Sequence, residues 1–241
     1  MTRVSNLQNI NAWNDATAYV INKFDDEGDF YRKYVINPAI FSLLGDVKNK
    51  KILDAGSGEG YLSRKLAKTG ALVTGVEPAK GLIDYAIERE KKEQLGITYN
   101  QDDLSQWQEK ENYFDIVVSN MVFMDIPDYK KAIKNCVRAL KQGGSFIFSI
   151  SHPCFDVQEG WAEEESYVMV KNYFGEYSMK NYIGYSFHHL LSDYINTVCE
   201  YGCYITKMLE PRLPLEIANQ DKKHERDKHV PNFLLISAVK K

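Results

Sequence analysis

Cysteine is scarce in this chain, with four in 241 residues. Cys199 and Cys203 stand four apart, Cys136 and Cys154 are isolated, and no Cys-x-x-Cys or finger-spaced histidine exists. A disulfide scaffold and a zinc finger are therefore not expected, and the reading is a reduced, cytoplasmic protein whose cysteines are small buried apolar residues. Long hydrophobic runs are also lacking. None approaches the ~20 residues a membrane span needs, and residues 1–11 are polar without a signal-peptide core. Neither sign of charge dominates: 30 basic against 33 acidic residues give a net charge of −3. That balance supplies no reason to expect a nucleic-acid backbone or an anionic membrane as partner. There is no internal repeat and no low-complexity linker. What remains is an ordinary globular composition, 44% apolar and 26% charged, of a length that fits one large α/β domain.

Helix and strand patterns alternate through the first two thirds. Strands are predicted at 51–55, 72–76, 97–100, 114–120 and 145–151. The fourth of these, "FDIVVSN", is apolar on both faces and so central. Helices are predicted at 61–69 and from Pro78, an N1 proline, to about 92. A third is predicted at 128–141, where Ala132, Ile133, Cys136, Val137 and Leu140 form one stripe and Gly143-Gly144 caps the end. This alternation predicts a parallel sheet with helices on both faces and a ligand beyond the carboxyl ends of the strands. Later, a helix is expected from about 187, with Phe187, Leu190, Leu191, Tyr194, Ile195 and Val198 on one face. Two strands, "CYITKMLEP" and "NFLLISAVK", follow, and the charged "DKKHERDK" between them reads as a solvated loop.

The stretch "KILDAGSGEG" places Gly56, Gly58 and Gly60 between a strand and a helix. Such a junction brings backbone N–H groups to a helix N-terminus. A dinucleotide site needs G-x-G-x-x-G, but here Tyr61 occupies the third glycine's place, and Glu59 adds negative charge. The alternative is an uncharged or cationic ligand bearing a carboxylate and an adenosine. Glu77 ends the next strand, where a carboxylate can accept hydrogen bonds from both ribose hydroxyls.

"ILDAGSGEGYLSRKLAKTGALVTGVEPAKGLIDYA" resembles the cofactor half of the class I S-adenosylmethionine-dependent methyltransferases. The similarity continues through "YNQDDLSQW", "FDIVVSNMVFMDIPD" and "RALKQGGSFIFSISHPCF", four ordered matches over about 48–155. Gln101 stands where that family usually has glycine. The resemblance implies a Rossmann-like, doubly wound seven-stranded α/β sheet, mostly parallel with an antiparallel C-terminal strand. It implies one domain: an N-terminal helical lid at 1–47, a cofactor core at 48–152, a substrate-side insertion at 153–187 and a helix with a strand pair at 188–241. The implied cofactor is S-adenosyl-L-methionine. Gly56 and Gly58 would let its methionine part lie against the backbone, with Asp54 ordering the loop and Ser57 beside it. Glu77, followed by Pro78, would hold the ribose. Asp102, with Asp103 and Leu104, would face the adenine. Ser119, Asn120 and Met121 would line the floor near the sulfonium.

Other assignments rest on position. Tyr31 and Arg32 lie in the lid segment, Arg32 able to make a bidentate contact with the cofactor carboxylate. His152 follows the fifth strand and is the candidate base, beside the reading that it bonds backbone at the turn before Pro153. His188 and His189 open the late helix. Where many relatives have a histidine after the fourth strand, this chain has Met124-Asp125. The insertion holds nine aromatics in 35 residues and more acids than lysines, which suggests a small, partly apolar acceptor. Tyr167, Tyr173 and Tyr185 are its candidate substrate residues. No Asn-Pro-Pro-Tyr follows the fourth strand, which argues against a flipped base as target. The expected partner is a small molecule acted on by a monomer or homodimer, with no nucleic acid and no membrane. A non-catalytic cofactor-binding module and an NAD-dependent oxidoreductase are the alternatives.

Overall fold

The computed structural model describes residues 4–108, 110–155 and 160–241, so the first three residues of the lid segment and 156–159 of the insertion lie outside it. Four helical segments come first: α1 (Asn6–Asp15), α2 (Thr17–Lys23), a π-helical turn (Arg32–Ile36) and α3 (Asn37–Leu44). The α1 start is a capping box. The Ser5 hydroxyl accepts from the Gln8 N–H, and the Gln8 side chain accepts from the Ser5 N–H. The alternating core follows as β1 (Lys51–Ala55), α4 (Tyr61–Lys68), β2 (Leu72–Val76), α5 (Lys80–Glu93), β3 (Thr98–Asn100), β4 (Phe114–Asn120), α6 (Tyr129–Ala139) and β5 (Leu140–Ser151). Two small hairpins, β6 (Trp161–Ala162) with β7 (Tyr167–Val168) and β8 (Ser178–Lys180) with β9 (Tyr185–Phe187), form the insertion. The chain closes with α7 (Leu191–Glu200), β10 (Cys203–Leu209), α8 (Leu215–Ala218) and β11 (Phe233–Lys240).

Seven strands form one sheet in the order β10-β11-β5-β4-β1-β2-β3. All run parallel except β11, which lies antiparallel between β5 and β10. Successive side chains of a strand point to opposite faces, so each central strand feeds two cores. Leu53, Val117, Phe146 and Phe148 pack under α6 and α7. Ile52, Ile116, Val118 and Ile147 pack under α3 and α4. The strand order reverses between β1 and β4, and the cleft described below opens there, at the carboxyl ends.

Four expectations need correction. Pro78 does not start a helix. The Glu77 carboxylate accepts the Ala79 N–H at 2.9 Å, Ala79 becomes the extended cap, and α5 begins at Lys80. Gly143-Gly144 is not a helix cap, because α6 ends at Ala139 and both glycines sit inside β5. There the pairing slips from Phe114–Leu140 to Ile116–Ser145, a bulge in which Gly143 takes φ 72°. The late helix starts at Leu191, leaving Phe187 in β9 and both histidines before the helix; the Tyr173 hydroxyl accepts the Leu191 N–H instead. The charged "DKKHERDK" is not simply solvated. It folds into two 3₁₀ turns that bury His224 and Asp227, paired at 2.8 Å. Only two of the four cysteines are buried as expected: Cys136 and Cys203 lie in the first core, where burial pushes their thiols up to about 12 and about 11, while Cys154 is half-buried and Cys199 exposed.

Candidate active site

The cleft holds about 890 Å³, counting its solvent-filled mouth. Its floor comes from the β1–α4 loop, the end of β2 and the turn after β4; α1 and α2 cover it. Gly56, Gly58 and Gly60 all have positive φ, at 79°, 55° and 86°, but for different reasons. A Cβ at Gly56 would lie 2.4 Å from a Val122 methyl, and one at Gly60 would lie 2.4 Å from the Tyr99 hydroxyl. A Cβ at Gly58 would meet no protein atom within 4 Å. Gly56 and Gly60 thus let the protein close on itself, and Gly58 leaves room for a ligand. Gly56→Ala is expected to destabilise the fold by about 2–4 kcal/mol through clash and backbone strain. Gly58→Ala should cost only about 1–2 kcal/mol of backbone strain while still obstructing ligand. Chemical denaturation of both variants checks the difference.

The N–H groups of Gly56, Ser57, Gly58 and Gly60 already have partners within the protein. Those of Gly56 and Ser57 donate to the Val76 carbonyl, at 2.9 and 3.0 Å, and that of Gly60 donates to Ser57. The Gly58 N–H donates to Glu77 Oε2 at 3.1 Å. This corrects the expectation that the glycines expose donors. The cleft here presents acceptors. Asp54, 1% exposed, receives the Ser63 hydroxyl at 2.6 Å, and burial pushes its carboxyl up to about 7. Glu77 is also pushed up to about 7 by burial, against its two backbone hydrogen bonds. Each Glu77 oxygen takes one N–H, so each keeps a second lone pair. The Ser57 hydroxyl is buried at the cleft without a protein partner. Glu59 is not a free charge there, since buried Arg64 pairs with it at 2.9 Å. The case against a pyrophosphate therefore rests on Asp54, Glu77 and the glycine spacing.

Arg32 is the one cationic side chain lining the cleft among the described residues. Its guanidinium sits over the Phe24 ring at 4.6 Å and donates to Asp29 at 2.6 Å. Pro78, Asp103, Leu104, Asn120 and Met121 complete the sequence-predicted residues that the cleft brings together. Met121 holds φ 61°, a strained value for a side chain of its size, fixed by its N–H donating to Ser149. The Asn120 amide donates to the Tyr61 hydroxyl and accepts the Ser149 hydroxyl at 2.6 Å; Tyr61 in turn donates to Asn37 at 3.1 Å.

Other predicted residues stand elsewhere. The Asp102 carboxylate turns back to its neighbour's N–H, at 2.7 Å. The Ser119 hydroxyl donates to the Ala55 carbonyl inside the sheet. His152 is buried outside the cleft, its Nε2 on Glu210 at 2.9 Å and its Nδ1 accepting the Cys154 N–H. That is the turn-bonding arrangement, not a base facing the cleft. The Tyr31 hydroxyl donates to Asp227 at 2.9 Å, and burial with that carboxylate pushes its phenol up. Tyr167 is exposed on β7, Tyr173 caps α7, and Tyr185 bonds Asn9 through its backbone; none of the three lines the cleft. Sequence reasoning missed Asn6, Asn9, Trp13, Phe24 and Tyr61, which all line the cleft. The Ser5–Gln8 capping signature marked the helix carrying the first three, but nothing in one sequence says that this helix folds over the strand ends.

A family model described as "Methyltransferase domain" matches residues 53–148. The chain is 37% identical over 119 residues to a ubiquinone biosynthesis O-methyltransferase of Coxiella burnetii, covering 48% of this chain and 51% of that one. It is 30% identical over 148 residues to the protein of the same name from Histophilus somni, covering 58% and 61%. The chain thus spans between half and two thirds of the length of these curated relatives. Among solved structures, an S-adenosylmethionine dependent methyltransferase from Mesorhizobium loti superposes with a TM-score of 0.76 at 25% identity, covering 84% of this chain and 96% of that one. A putative enzyme of the same description from Listeria monocytogenes superposes at 0.73 and 25% identity, covering 85% and 96%.

Proposed function

From the methyltransferase-domain match over residues 53–148, we propose that the chain is a class I, S-adenosylmethionine-dependent methyltransferase that moves a methyl group from S-adenosylmethionine to a small-molecule acceptor. The observation that carries this reading is the buried Glu77 carboxylate. It faces the same cleft as Gly58 and keeps one lone pair free on each oxygen. Two vicinal ribose hydroxyls match that pair of acceptors. Asp54 and the unpartnered Ser57 hydroxyl suit the ammonium of the methionine part, and Arg32 suits its carboxylate. Asp103 and Leu104 would border the adenine, and Met121 the sulfonium. The residues present therefore fit the cofactor.

The cofactor supplies an activated methyl group, so what the chain must add is position and electrostatics. Holding the acceptor in line at ~3–3.5 Å accounts for several kcal/mol of the barrier. Among the described residues, no imidazole lines the cleft. The acceptor atom then either arrives without its proton or gives it to a carboxylate or to water. The names of the curated relatives favour an oxygen acceptor over a nitrogen.

Titration calorimetry tests the cofactor. S-adenosylmethionine and S-adenosylhomocysteine are expected to bind and NAD is not. Binding of NAD alone would point to the oxidoreductase alternative.

A further inference from the structure

One buried side chain hydrogen-bonds the cover of the cofactor cleft to the β8–β9 hairpin of the insertion. Asn9, on α1, is 1% exposed although it is polar. Its amide nitrogen donates to the Asp125 carbonyl at 2.6 Å and to the Tyr185 carbonyl at 2.8 Å. Its amide oxygen accepts the Tyr185 N–H at 2.7 Å. One asparagine thus closes a two-way backbone pair with the β8–β9 hairpin and also holds the turn after β4. Gly184 is what lets the hairpin come so near, because a Cβ there would lie 2.6 Å from the Asn9 oxygen. Ile183, in the same hairpin turn, packs against the cluster of Val20, Ala79 and Leu82, beside Trp13 and Phe24. At its two ends α1 is fastened to cofactor-side elements. The Asn6 amide donates to Asp103 at 2.6 Å, and the Gly81 N–H donates to Asn14 at 2.8 Å.

We propose that Asn9 is a positioning residue through which a filled cofactor cleft sets the acceptor-side hairpin in place. The proposal rests on the cofactor reading above. A ligand in the cleft contacts α1 from below and restrains it. Asn9 passes that restraint to Tyr185 in the hairpin and to the Asp125 turn, which lines the cleft. With the cleft empty, α1 and the hairpin open together; with it filled, the acceptor wall is already formed. The acceptor would then meet an ordered site only after the cofactor is bound.

Hydrogen exchange reads this without knowing the acceptor. The probe is S-adenosylhomocysteine at saturation, with binding checked by calorimetry for each protein. In the wild type, the ligand is expected to slow exchange of the amides at 183–187 at least tenfold, together with those at 56–60. In Asn9→Ala at a saturating concentration, the slowing at 56–60 should persist and that at 183–187 should vanish. Gly184→Ala, which leaves Asn9 in place and moves the hairpin off it, should behave the same way; it decides the matter alone if Asn9→Ala does not fold. A purely structural asparagine would raise exchange in both states equally and leave the ligand's effect unchanged. Hairpin amides indifferent to bound ligand in the wild type, or still responsive in the folded variants, would overturn the proposal. Absence of binding to the wild type would instead sink the cofactor reading on which it stands.

Discussion

Glu77→Ala is expected to weaken S-adenosylmethionine binding by at least about 100-fold while leaving the fold intact. The loss follows from what the carboxylate offers. Two hydrogen bonds to an ionised acceptor are at stake, each ~1.5–3 kcal/mol, and no neighbouring side chain can replace them. The fold should tolerate the change because the carboxylate is a strained guest. Burial pushes it up to about 7, so at pH 8 it is held ionised against its surroundings. The Gly58 N–H faces the cleft, where water can replace the carboxylate, and the ~1–3 kcal/mol cost of orphaning the buried Ala79 N–H is offset by removal of the buried charge. Unfolding stability at pH 8 should therefore shift by no more than about 1 kcal/mol. Calorimetry paired with urea denaturation checks both halves. A variant with wild-type affinity would reduce Glu77 to a local cap for the turn into α5.

Acidification from pH 8 to 6 is expected to stabilise the empty protein and to weaken its hold on the cofactor. Asp54 and Glu77 are both raised by burial to about 7, above the range of exposed carboxylates. Each binds a proton more readily folded than unfolded. The stability they contribute is complete below the ordinary carboxylate range and is lost as pH rises through about 7. Between pH 8 and 6 the recovery amounts to about 1 kcal/mol per group. Opposing groups act lower. Asp26, held below its usual value by its hydrogen bond to Arg89, loses its contribution only as pH falls through that lower value. Ligand binding runs the other way, because the cofactor's cationic groups and ribose hydroxyls need ionised acceptors. Protonation of one carboxylate lowers affinity about tenfold at pH 6, and of both about 100-fold. Denaturation melts and calorimetry across this range should give slopes of opposite sign. Slopes of the same sign would mean that the two carboxylates do not serve the ligand.

The core of the fold was legible because its signals are local and repeated. Strand β4 is apolar on both faces, and each face meets a different buried cluster. The glycine loop and Glu77 were legible as a site for the same reason: strand ends and glycines mark themselves. The reason for the glycines was not legible. Gly56 answers to Val122 and Gly60 to Tyr99, contacts made across 66 and 39 positions of chain that no spacing rule encodes. His152 looked like a base because it follows a strand end, but Glu210, from a loop 58 residues on, claims its Nε2. The insertion was visible as aromatic and acidic, yet none of its described residues lines the cleft; it meets cleft-lining residues through the Tyr185 backbone, the Ser186 hydroxyl and Ile183 rather than through a tyrosine ring. A count of aromatics carries no signal for that.

This cleft is expected to deliver a methyl group to a small molecule. The most direct test incubates the purified protein with S-adenosylmethionine carrying a labelled methyl group and a cell extract split into small-molecule, protein and nucleic-acid fractions. Wild-type protein should label the small-molecule fraction, and Glu77→Ala should label none of the three at the same cofactor concentration. Label confined to the protein or nucleic-acid fraction, or transfer that Glu77→Ala supports as well as the wild type does, would contradict the account.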